Sequence, residues 1–96
     1  MVNWQETIAL LQQSQPTELL ETAYKIFEPA QDSSRQQGDR LRALVLVCVL
    51  YVGRSQFSTH EWSDKAVIRD LRVPIKLVNR AFTIIAVAQS SQAARP

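Results

Sequence analysis

The chain has 96 residues, 46% hydrophobic and 21% charged, an ordinary globular composition that allows one domain with a modest core. Only two glycines, Gly38 and Gly53, argue against a sandwich or barrel, whose tight turns need more. The net charge of +2 hides an uneven distribution, with five carboxylates against Lys25 alone in residues 1–34, and ten Lys or Arg against four carboxylates in residues 35–96. An acidic front and a basic back suggest that the back faces an anionic partner. The plainer reading is ordinary solvated surface.

The single cysteine, Cys48, has no internal disulfide partner, which points to a reducing compartment, most simply the cytoplasm. The opening MVNWQETIALL lacks the basic start and apolar run of a signal peptide. The longest apolar run, Ala43 to Val52, has ten residues. A membrane span needs roughly 18, so a soluble chain with no membrane partner is expected.

Residues 3–13 read as a first helix, with Asn3 as cap and Glu6 at capping-box spacing. Trp4, Ile8 and Leu11 share one face. A second helix runs from Pro16 to about Glu28, with Leu20, Ala23, Tyr24 and Phe27 on one face. Pro29 is expected to end it. Residues 29–38, PAQDSSRQQG, then form a polar loop, the best candidate for a flexible connection.

Residues 39–53 begin with a charged turn and become apolar all round, as a central buried helix does. The rival is a buried strand, because Val45, Val47, Val49 and Val52 are β-branched. No partner strand exists elsewhere, which favours the helix. After a connection at 54–57, Ser58 and Glu61 have capping-box spacing. A fourth helix runs from about Thr59 or Ser63 to Leu71, and a fifth from Pro74 or Ile75 to about Ala88. The polar residues 89–96 are expected to be a disordered tail, leaving 1–88 as a single domain. The fold class is therefore all-α, a compact bundle of about five helices.

The stretch VIRDLRVPIKLVNRAF, residues 67–82, carries the strongest functional signal. Ile68 or Ala66 inside the fourth helix, Leu71 at its end, Val73 in the turn and Val78 in the fifth helix match a family pattern. This pattern resembles the helix-turn-helix DNA-binding domains over residues 66–82. Pro74 stands where the family has a Ser or Thr cap, and Arg72 stands where it has glycine. The resemblance implies that the fifth helix enters the major groove of DNA. Independently, Ile75, Val78, Phe82 and Ile85 form one expected face of that helix, and Lys76, Asn79, Arg80 and Thr83 another. Arg pairs with guanine, Asn with adenine, and Lys commonly holds phosphate. Arg69 and Arg72 could clamp the backbone beside them. An amphipathic helix with an ordinary polar face fits the same residues.

The chemistry inventory is thin. His60 and Cys48 are too few for a zinc site, so no metal and no cofactor is expected. Cys48 lies in the apolar run, where a thiolate is disfavoured. No glycine-rich phosphate loop and no Ser, His and Asp arrangement stands out. No catalytic residue and no small-molecule substrate is therefore expected. Trp4 and Trp62 read as core anchors, with a stacking platform for a single strand as the alternative.

Three functions compete. The first is a helix-turn-helix DNA binder using Lys76, Asn79 and Arg80, dimerised through its acidic N-terminal helices. The second is a small subunit of a larger nucleoprotein complex. Size, helicity and scattered arginines are similar in type to the small helical subunits of CRISPR effector complexes. Arg35, Arg40, Arg42, Arg54 and Arg69 would then hold DNA or RNA backbone without reading bases. The third is a protein-interaction or assembly factor that uses exposed apolar residues of the first two helices and binds no nucleic acid.

Overall fold

A computed structural model describes residues 3–58, 60 and 62–93. Five helices follow in chain order: α1 (Trp4–Ala9), α2 (Thr17–Ser34), α3 (Asp39–Gln56), α4 (Asp64–Leu71) and α5 (Ile75–Ala93). Among the described residues there is no strand, so the β-branched run of α3 is helical. No described helix is long and apolar enough to cross a membrane.

The middle of α3 has no polar side to give to solvent. Residues 43–50 are all buried, and Val52 and Gly53 extend the buried length. The other helices cover it: α2 and α5 make the broadest contacts, and α4 and α1 close the remaining sides. Burying a Val or Leu side chain contributes about 1.5–3 kcal/mol. That gain compensates for the modest helix propensity of the valines.

Local chemistry fixes the helix ends. Asn3 caps α1, its side-chain oxygen accepting from the Glu6 N–H at 2.9 Å. Beyond Ala9 the chain tightens into turns, including a Leu11 N–H to Ile8 carbonyl bond of 2.8 Å, so α1 is shorter than the apolar spacing predicts. The cap of α4 is Ser63, whose Oγ accepts from the Ala66 N–H at 3.2 Å. Ser58 lies outside the helix, and Glu61 and Thr59 lie outside the described residues.

Pro29 does not end α2. The helix continues through it to Ser34. Proline removes one backbone bond and costs roughly 3 kcal/mol inside a helix. Burial on both sides of it outweighs that cost, because Phe27 and Ala30 are both packed in the core. The Oγ atoms of Ser33 and Ser34 donate to the Ala30 carbonyl at 3.1 and 2.7 Å, closing the last turn. At the other end of the chain, α5 continues to Ala93, beyond the expected Ala88 and into the segment expected to be a tail.

Two contacts lock the connections. Gln15 is 6% exposed, and its amide grips the backbone of Ser63. Its Nε2 donates to the Ser63 carbonyl at 2.9 Å, and its Oε1 accepts from the Ser63 N–H at 3.2 Å. The α1–α2 turn thereby holds the start of α4. The indole of Trp62 lies directly on Gly53, so that a Cβ there would sit 2.5 Å from the ring. Only glycine permits this approach of α3 to the segment before α4.

Gly53→Ala therefore lowers stability despite the better helix propensity of alanine. The clash costs typically 1–3 kcal/mol against a propensity gain of about 1. Urea unfolding followed by tryptophan fluorescence should give a lower midpoint and an altered native Trp62 signal. An unchanged or raised midpoint would contradict the packing.

Candidate nucleic-acid interface

Most of the cationic side chains anticipated from sequence lie at the surface, but the fold does not treat them alike. Arg35, Arg40 and Arg80 come from three different elements and line one open concavity of about 620 Å³. Ser34, Gln36, Gln37, Asp39 and Leu77 complete its walls. Arg35, Gln36 and Gln37 belong to the connection between α2 and α3.

That connection is built rather than loose. Arg35 takes the left-handed conformation at the end of α2, with φ 50° and ψ 51°, and its N–H donates to the Gln31 carbonyl. The Gln31 side chain then spans the turn, donating to the Gln36 carbonyl at 2.7 Å and accepting from the Gln36 N–H at 3.1 Å. Gly38 enters α3 with φ 58°, a value that favours glycine. The expected flexible loop is a clasped turn that projects Arg35 and Arg40.

The remaining candidates divide by pairing. Arg42 lies 3.8 Å from Asp39, Arg54 lies 3.9 Å from Asp64, and Arg69 lies 3.2 Å from Asp70. Such exposed pairs are worth about 0–1 kcal/mol, but they offset part of each charge. Arg42 is also partly structural: its Nε is buried and has no hydrogen-bond partner among the described residues. Among those residues, Arg35, Arg40, Arg72, Lys76 and Arg80 have no carboxylate partner, and all are exposed. Arg54 stands apart in space as well, since fourteen residues of helix put it about 21 Å along α3 from Arg40. Asp39 shares the concavity with the three arginines, and Arg42 partly neutralises it.

Residues 72–74 connect α4 to α5. Arg72 is left-handed, with φ 47° and ψ 58°, at the position where the family has glycine. A side chain there costs roughly 1–2 kcal/mol, partly offset by a cation at a helix C-terminus. Pro74 opens α5, its carbonyl accepting from the N–H groups of Leu77 and Val78 at 3.0 and 3.2 Å. Leu71 is buried and Val73 packs on the core. Ala66 is buried, whereas Ile68 is 50% exposed. The main support of α4 is α3, not α5.

The faces of α5 differ from the sequence expectation in one respect. Val78 and Ile85 are buried as expected, together with Ala81, but Ile75 and Phe82 are 70% and 41% exposed. The helix is rotated so that its core line follows Val78, Ala81 and Ile85. Lys76, Asn79, Arg80 and Thr83 all face outward.

Trp4 packs with Tyr24 and Phe27 at ring-centroid distances of 5.1 and 4.9 Å, and Trp62 covers Gly53, so both indoles are engaged in packing. Among the described residues, no three His, Cys, Asp or Glu side chains gather in a way that could hold a metal ion. Sequence reading passed over Ser34, Gln36 and Gln37 as loop polarity. The apolar surface expected on the first two helices takes the form of a groove of about 1060 Å³ between α1 and α2.

Comparison with known proteins returned no match to a family model, to a curated protein or to a solved structure.

Cys48 is fully buried in α3, and burial pushes its thiol well above the usual cysteine range. The reactive thiolate is therefore suppressed. A thiol-specific reagent at mildly alkaline pH should label it only as fast as the chain unfolds, and at once in denaturant. Prompt labelling of the native protein would contradict this burial.

Proposed function

We propose that this chain is a small, non-enzymatic nucleic-acid-binding protein whose contact surface centres on Arg35, Arg40 and Arg80. The observation that carries the reading is that these three residues, from the end of α2, from α3 and from α5, line one concavity and have no carboxylate partner among the described residues. Guanidinium groups match phosphate oxygens in planar, forked geometry. An open surface suits a polymer backbone better than an enclosed small molecule. Lys76, one turn before Arg80 on α5, extends the basic surface.

The finer form of this proposal is a helix-turn-helix DNA binder. In it, α5 enters the major groove, Asn79 reads bases, and Arg80, Lys76, Arg72, Arg40 and Arg35 hold phosphates. It is supported by the left-handed Arg72, the carbonyl cap of Pro74 and the outward face of α5. A second form is a subunit of a larger nucleoprotein complex that tracks a DNA or RNA backbone without reading it. It is supported by Arg35 and Arg40, which flank the α2–α3 turn and do not belong to the α4–α5 pair. Arg42, Arg54 and Arg69 are secondary contacts in either form, because each has a carboxylate partner.

Fluorescence anisotropy against labelled duplex DNA, single-stranded DNA and RNA over a salt series tests the proposal. Neutralising three phosphates gives a log–log slope of about −2.7 on duplex, and Arg35→Gln, Arg40→Gln or Arg80→Gln should each flatten it by about 0.9. Arg54→Gln should change it less. Sequence preference on duplex that Asn79→Ala abolishes selects the helix-turn-helix form. Indifference to sequence selects the backbone form. Folded protein that binds none of the three at low salt would overturn both.

A further inference from the structure

Among the described residues, two surfaces of opposite net charge carry exposed or half-buried apolar side chains. One is the outer face of α5, where Ile75, Phe82 and Val87 are 70%, 41% and 60% exposed. At 100° per residue, Ile75, Asn79, Phe82 and Ala86 form one stripe. Lys76, Arg80 and Val87 form the next. No carboxylate partners either cation among the described residues. The other surface is the α1–α2 groove, with Trp4, Ile8, Leu20 and Tyr24 among its lining residues. Glu21 lines the same groove together with Lys25, and Glu18 and Glu28 are exposed on the same helix, three carboxylates to one ammonium. None of the three has a cationic partner among the described residues.

An apolar groove beside unpaired carboxylates selects a particular occupant. A helix with an apolar stripe and an adjacent basic stripe fits it, burying its apolar residues and meeting the carboxylates. An anionic lipid surface or an acidic helix would be repelled by Glu18, Glu21 and Glu28. The outer face of α5 has the required chemistry, and it belongs to this chain.

We propose that the α1–α2 groove of one copy receives the outer face of α5 from a second copy. Ile75 and Phe82 would lie on Trp4, Ile8 and Tyr24, and Lys76 would face Glu21. The contact joins two different surfaces of the same chain, so it is heterologous, and each copy offers both halves. It requires no nucleic acid, and it engages the same face of α5, with Lys76 and Asn79, that the function proposed above uses, so the two contacts compete for that face.

Sedimentation velocity on the full-length, nuclease-treated chain over a concentration series tests this. Glu21→Lys and Lys76→Glu are exposed substitutions that should leave folding intact, which circular dichroism would verify. The wild-type chain should reach a mass of two or more copies. Each single variant should need about tenfold more protein, or greater, to do so. An equimolar mixture of the two variants should recover association, because the groove made basic by one substitution then meets the helix made acidic by the other. A wild-type chain monomeric throughout, single variants that associate like wild type, or a mixture that fails to recover would each overturn the proposal.

Discussion

Residues 43–50 of α3 are buried in succession, so no side of that helix segment faces water. A helix apolar all round is stable only when other helices enclose it. The remaining architecture follows from this constraint. α2 and α5 form the larger part of the sleeve, and α1 and α4 complete it. The amide of Gln15 ties the α1–α2 turn to the start of α4, and Trp62 seals the far end against Gly53. Polar residues of α3 are confined to its ends, with Arg40 and Arg42 at one and Arg54 at the other.

The same enclosure locates the basic surface. α2 must turn sharply at Ser34 for α3 to fold back against it. The turn is held by Gln31 and Gln36, and a left-handed Arg35 ends the helix. α5, laid along α3, brings Arg80 to that turn. Arg80, forty residues on from Arg40, therefore comes to line the same concavity as Arg35 and Arg40 because of the demands of an apolar helix. Their mutual repulsion is tolerated at an exposed site, where water screens charge. An anionic partner would convert that repulsion into binding energy. Two left-handed positions that would favour glycine, 35 and 72, both carry arginine. Strain of this kind clusters at functional surfaces.

The helices were largely legible, because spacing and caps act locally. Asn3, the apolar run of α3 and the Leu71–Pro74 break all mark real boundaries. Pro29 misled, because its local cost is overruled by burial of Phe27 and Ala30, a tertiary effect. The rotation of α5 was hidden for a similar reason. Ile75 and Phe82 look like core residues, but small Ala81 lets α5 approach closely along a different line. Within the candidate interface, residue types were legible and grouping was not. Nothing in the sequence says that Arg80 meets Arg35 and Arg40, or that Asp64 pairs with Arg54. The glutamines of the α2–α3 turn read as loop polarity, although the glycine that follows them marked a tight turn.

The central claim is that Arg35, Arg40 and Arg80 act as one phosphate-binding surface. Titrating the isotope-labelled chain with a short oligonucleotide and following its amide and arginine side-chain NMR signals tests this most directly. The account predicts that signals of residues 35–40 and 76–80 shift together, with one common saturation curve, while those at the far end of α3 around Arg54 stay in place. Shifts confined to the groove or to the far end of α3 around Arg54, or separate curves for Arg35 and Arg80, would contradict it.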